Sequence, residues 1–225
     1  MSANKSNTTL EDLLRQARWR EARNILERER EQDPANHWVL TQLGVTFYEQ
    51  RRYSEALQLF RASLKIVPDC PLTLWNVAGA LDALGKFTTA VRIYTWLLQS
   101  PQSPERDPCW ESTQWADALK TDCVYRLGVC FQHLGKKEKA GDCYREYLNL
   151  LSLGMAGSYS IDDVKRQVPE LRHRRGPGLA ESEVRKAQDA TLQALGIPPW
   201  KGRRCAPPRL AAREFDVGRR AASKK

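Results

Sequence analysis

The feature that most constrains this chain is a recurrence at a spacing of 34 residues. The segment from His37 to Cys70 is echoed from Pro71 to Pro104 and again from Thr121 to Gly154. In the first of these, Leu40, Leu43, Gly44 and Phe47 are followed by Ala56, Phe60, Ser63 and Pro68. The second has Leu74, Val77, Ala78 and Leu81, then Ala90, Tyr94 and Leu97; the third has Val124, Leu127, Gly128 and Phe131, then Ala140, Tyr144 and Tyr147. A weaker copy from Ala3 to Asn36 carries Leu10, Leu13, Ala22, Leu26 and Pro34, and its first helix reads as short. Apolar residues three and four apart form one stripe on an α-helix, so each copy predicts two striped helices with a break between them. The breaks are Gln50-Arg51-Arg52, Leu84-Gly85-Lys86 and Leu134-Gly135-Lys136. Small residues at 44, 78 and 128 on the first helix and at 56, 90 and 140 on the second let two backbones approach. One hairpin cannot bury its own stripe, so neighbours must stack, and the expected fold class is all-α, a helical-hairpin solenoid.

The order of Leu, Gly and aromatic, then Ala, aromatic and Pro, at this period resembles the tetratricopeptide repeat family over about residues 3 to 154. The family's first-helix Trp is replaced here by Leu40, Leu74 and Val124, which makes the array a divergent one. The units are read as 3–36, 37–70, 71–104 and 121–154, with an insertion at 105–120. The distance from Gly44 to Ala78 is 34 residues and from Ala78 to Gly128 is 50. Asp107-Pro108 reads as a helix start, an N-cap followed by proline at the first helical position. Whether Pro108 to Leu134 is one helix or two is open, as is the role of Trp110 and Trp115: folded back as core, or an additional docking knob. Beyond Gly154 the phase is lost. Ser160 and Asp163 make a capping-box start for a helix that Pro169 must bend or end, and a second helix is read from about Leu179 to Leu195. Residues 155–196 are expected to cover the end of the array, and 197–225 to form a basic extension.

Composition narrows the class of function. With 41% apolar and 28% charged residues, the chain can build a core, and no stretch approaches the roughly 20 apolar residues of a membrane span. Residues 1–20 lack the apolar run of a secretory signal, and six irregularly spaced Cys suit free thiols in a reducing compartment, so a cytoplasmic protein is expected. Charge is uneven: residues 1–154 hold 20 basic against 19 acidic side chains, residues 155–225 hold 16 against 8. Arg203, Arg204, Arg209, Arg213, Arg219 and Arg220 lead the excess. They read either as a nucleic-acid contact, which would be steeply salt-dependent, or as a solvated arm.

Catalytic and metal-binding spacings are missing. There is no Gly-rich phosphate loop, no helical His pair with a Glu and no nucleophile elbow, so neither catalytic residues nor metal nor cofactor are expected. Cys130 and His133 share a helix face, but no orienting third group accompanies them, and Cys123 and Cys130 more simply fill helix contacts.

The resemblance places a ligand groove on the first helix of each unit. There the chain offers Trp38, Thr41, Val45 and Tyr48; Leu72, Trp75, Asn76, Gly79 and Asp82; and Tyr125, Arg126, Val129 and Gln132. Aromatic residues on a concave surface suit a peptide or protein partner. The family's C-terminal-carboxylate clamp is matched only at Asn76 and Arg126, with Thr41, Val45 and Asp122 at the other three positions, which argues against that mode. The stripe is expected to hold a segment of a partner protein in a non-catalytic adaptor or chaperone-like module, with the chain's own C-terminal helix, a second copy or plain packing as the other readings. A nucleic-acid-associated factor using the tail is the alternative function. No membrane role is expected.

Overall fold

Each hairpin of the chain reverses through the same local device. In α1 (Leu10–Arg15) and α2 (Trp19–Gln32), α3 (His37–Tyr48) and α4 (Tyr53–Ile66), α5 (Pro71–Ala83) and α6 (Phe87–Gln99), and α7 (Thr113–His133) and α8 (Lys137–Ser152), one residue in the left-handed region ends the first helix. These residues are Ala17 (φ 55°), Arg51 (φ 60°), Gly85 (φ 73°) and Gly135 (φ 73°). The next N–H then reaches back across the turn: Arg18 to the Leu13 carbonyl, Arg52 to Phe47, Lys86 to Leu81 and Lys136 to Phe131, at 2.8–2.9 Å. This is the bond that satisfies the orphan carbonyls of a helix end. Helix starts use side chains where the sequence supplies them. Thr9 and Asp12 form a capping box, Asn36 accepts from the Val39 N–H, Pro71 opens α5, and Ser112 accepts from the Trp115 N–H.

This computed structural model describes residues 9–100 and 112–167. Among the described residues every regular element is an α-helix, and the fold class is all-α and of helical-hairpin type. The chain divides into two compact units at Asp69–Cys70. In the first, α2 packs on α3 and α3 on α4. Leu26, Val39 and Leu43 form its core cluster, with Leu10 and Leu59 against it. Gly44 is obligatory there, because a Cβ would lie 2.3 Å from the Phe60 ring. In the second unit α5 packs on α6, α6 on α7 and α7 on α8, with α9 (Ile161–Gln167) on α8. Gly128 repeats the close approach, with a Cβ position 2.7 Å from the Tyr144 ring.

Two sequence expectations meet the insertion here. Asp107, Pro108 and Trp110 lie outside the described residues, and α7 is described from Thr113 as one unbroken helix of 21 residues, about 32 Å long. Its first two turns precede the repeat phase. They are tied back through Lys120, whose Nζ donates to the Ser100 carbonyl at 2.8 Å, and Trp115 is half-buried. After Gly154 (φ 88°) the chain turns, and Ser160 and Asp163 form the expected reciprocal cap at the start of α9. The helix read at 179–195 lies outside the described residues.

Candidate functional site

In the first unit the first-helix stripe lies on α3. Trp38 stands in the first turn and is 40% exposed, one of two large apolar side chains left open among the described residues, Ile66 being the other. Val45 and Tyr48 are half-buried, and Tyr48 meets Tyr53 edge-on at 5.3 Å between ring centroids. Thr41 belongs elsewhere. It is fully buried, its hydroxyl donates to the His37 carbonyl at 2.9 Å, and it lies 2.8 Å from the Ser63 hydroxyl. Expected to line the groove, it instead fastens α3 to α4, because its position along α3 faces the hairpin partner.

In the second unit the stripe runs over α5 and α7. Leu72 and Trp75 are half-buried, and Trp75 packs edge-on against Tyr94 at 5.5 Å. Asn76 spends its amide on its own helix, donating from Nδ2 to the Leu72 carbonyl at 2.8 Å. Gly79 and Asp82 are buried. Asp82 Oδ2 is 2.5 Å from an Arg126 guanidinium nitrogen, and Arg126 Nε donates to the Tyr94 hydroxyl at 3.3 Å. Burial raises the Asp82 carboxyl above its ordinary value, and Arg126 works against that shift. Arg126 is thereby held between α5 and α6 by a buried carboxylate. A guanidinium so paired is a poor receptor for a free carboxylate, since breaking a buried ion pair costs about 3–5 kcal/mol. Val129 is half-buried, and Gln132 is exposed, its Oε1 accepting from the Tyr144 hydroxyl at 2.8 Å.

Tyr125 is covered by the chain itself. It is 6% exposed, and Tyr159 stacks on it at 3.9 Å and 16° between ring planes. The segment that brings Tyr159 there is bonded at two further points. The Ser158 N–H donates to Asp122 Oδ1 at 2.8 Å, and the Tyr147 hydroxyl accepts from the Tyr159 N–H and donates to its carbonyl at 3.0 and 2.8 Å. Gly157 fits this crossing, as a Cβ would sit 2.5 Å from the Tyr147 hydroxyl oxygen. Sequence reasoning placed Tyr125 in an open groove and overlooked Ser158 and Tyr159. The signal available was slight: an aromatic residue immediately before the Ser160 cap, the position from which a hydrophobic staple folds back.

Cys130 and His133 are not arranged as a nucleophile and its base. Cys130 is buried and its thiol is pushed up to about 12 by burial and by Asp82, far from the thiolate that attack requires. The His133 ring lies flat on Phe87, 4.5 Å away. Cys123 is likewise buried. Among the described residues no group of three His, Cys, Asp or Glu is placed to hold a metal ion, and no helix is long and apolar enough to cross a membrane. Arg203, Arg204, Arg209, Arg213, Arg219 and Arg220 lie outside the described residues.

What the two units define is a class of protein: helical hairpins repeated with close Gly–aromatic contacts. Comparison with protein families agrees. A tetratricopeptide repeat model matches residues 10–71 and a second tetratricopeptide repeat model matches residues 122–150. The chain thus carries tetratricopeptide repeats over these residues, and repeats of this kind are protein–protein interaction modules. No curated protein matches the chain.

Proposed function

We propose that this chain is a non-catalytic adaptor that holds a segment of a partner protein, with Trp38 of α3 as the principal anchor on the first unit and Trp75 of α5 as a separate anchor on the second. The exposure of Trp38 carries the reading. An indole left 40% open on a helix of a folded module forgoes apolar burial that a partner can supply, and tryptophan is the residue most enriched at such anchor points. The buried neighbours Leu40 and Leu43 already fill the core, so Trp38 is not needed there. The carboxylate-clamp mode is set aside, because Arg126 is engaged by Asp82 and Asn76 by its own backbone. Tyr125 is left out of the binding surface for the same kind of reason, being engaged by Tyr159. The buried cysteines Cys123, Cys130 and Cys143, outside any disulfide, support placing the protein in the reducing cytoplasm.

The test is quantitative affinity enrichment from cytoplasmic extract with the full chain, W38A and W75A, followed by titration of whatever the full chain captures. Trp38 is exposed, so W38A is expected to keep the melting temperature while weakening binding by about 2 kcal/mol, roughly thirtyfold. Equal binding by the full chain and W38A would refute the assignment. A molar mass that grows with concentration in the full chain and not in W38A would make a second copy the occupant.

A further inference from the structure

At the turn end of the first unit, two arginines share one aromatic ring. The Cζ of Arg52 lies 4.5 Å from the centre of the Phe47 ring and that of Arg23 lies 4.9 Å from it. Arg52 is the residue after the left-handed Arg51 and is bonded to Glu55, with Nε 2.9 Å from Oε2. Arg23 comes from α2, half-buried, and its hydrogen bonds run through Nη1 to uncharged acceptors: Gln50 Oε1 at 2.9 Å and the Thr46 carbonyl at 3.5 Å. Arg20, one turn earlier on α2, is exposed on the same side and repels it. Burial, Arg52 and Arg20 lower the Arg23 pKa, and Glu55 acts the other way. Glu55 is already committed to Arg52. Two guanidiniums therefore share the Phe47 ring, a third, that of Arg20, lies one helical turn from Arg23 on α2, and the one carboxylate bonded there, Glu55, is taken by Arg52. Folding has brought like charges together, and the surplus is available to an external anion.

We propose that Arg23 and Arg52 on the Phe47 ring, flanked by Arg20 one turn along α2, form a docking site for a carboxylate-rich segment of a partner protein. A guanidinium held over a ring keeps its in-plane donors, and that fork matches a carboxylate in a two-bond geometry. The cluster is local to one ring. A nucleic acid presents a continuous line of phosphates and is gripped by a longer track of cations, so a short cluster of charges around one ring and one helical turn fits an acidic side-chain cluster better. The site is formed wholly within the first unit and does not rest on the tryptophan stripe.

The experiment is an NMR titration of the full chain with an oligoglutamate peptide, following the Arg Nε–H signals of Arg20, Arg23 and Arg52 and the Phe47 ring, at low and at physiological ionic strength. Shifts centred on these four residues, weakened by salt, are expected. R20Q and R52Q, each checked for an unchanged melting temperature, should weaken the peptide by roughly fivefold apiece. Should R52Q melt lower, R20Q decides alone, since Arg20 is exposed on its helix. Shifts confined to the basic stretch 203–220, or identical affinity for R20Q and the unsubstituted chain, would overturn the proposal. So would an oligothymidylate that moves the same four residues at lower concentration than the peptide, which would assign the site to nucleic acid.

Discussion

Four residues in equivalent turns carry the left-handed backbone that each hairpin needs, and only two of them are glycine. Gly85 and Gly135 adopt φ 73° without penalty, whereas Ala17 at φ 55° and Arg51 at φ 60° hold a Cβ in a conformation that L-residues resist. Arg51 is exposed, and Gly135 has nothing within 4 Å of where its Cβ would be, so these positions isolate backbone strain from packing. R51G and A17G should each stabilise the protein by about 0.5–1 kcal/mol, the relief of strain exceeding the added freedom of the unfolded chain, and G135A should cost about 1 kcal/mol. Urea melts of the three variants give the check. An R51G melt at or below that of the unsubstituted chain would mean that the 6→1 bond from Arg52 to Phe47, and not the strain, governs this turn.

At the scale of elements, α7 is joined to the segment between α8 and α9 through Asp122, and that joint gives a pH dependence of definite sign. Burial raises the Asp122 carboxyl above its ordinary value of 3.8, with the bond from Ser158 opposing the shift. A carboxyl whose pKa is raised on folding binds protons more tightly in the folded state. Its contribution is fully present below the unfolded value near 3.8 and is lost as pH rises through the folded value. D122N keeps an oxygen to accept from Ser158 but does not titrate. The stability of the full chain relative to D122N should therefore fall as pH rises from the unfolded value toward neutrality, and a difference flat across that range would contradict the burial of Asp122. The exposed acids Asp12, Glu21 and Asp163 shift the other way but are common to both proteins and cancel in the comparison. This joint also marks where the sequence stops being readable. The hairpins were legible because the contacts that make them, Gly44 with Phe60 and Gly128 with Tyr144, recur at fixed offsets within one copy. Asp82 with Arg126, Tyr125 with Tyr159 and Arg23 with Phe47 join residues more than twenty positions apart in different segments of the chain, and no pattern within one hairpin encodes them. Thr41 was misread for a subtler reason. One residue is about 100° around a helix, so a position next to the buried stripe and a position within it differ by one step of register, and a threonine hydroxyl satisfied by the His37 carbonyl is at home in either.

For the whole molecule, stacked hairpins make stability a sum of neighbour contacts, so elements with few neighbours should open first in each unit. In the first unit, α1 has six residues, buries only Leu13 and packs on α2, whereas α3 buries six residues between α2 and α4. In the second, α9 has seven residues and buries only Val164, while α5 buries nine residues and α7 eleven. Helices of one or two turns are not stable by themselves, since nucleation costs more than so few hydrogen bonds return. Native-state hydrogen exchange should therefore find α1 and α9 opening by fluctuations insensitive to low urea, with the amides of α3, α5 and α7 exchanging only through large, urea-sensitive unfolding. The segment joining α8 to α9 sharpens the expectation. Its Ser158 and Tyr159 amides are bonded to Asp122 and Tyr147, so they should be protected beyond the amides of α9 that follow them. If Tyr159 instead exchanges as freely as α9, the stack on Tyr125 is loose, and the first-helix face of α7 is open to a partner as those of Trp38 and Trp75 are proposed to be.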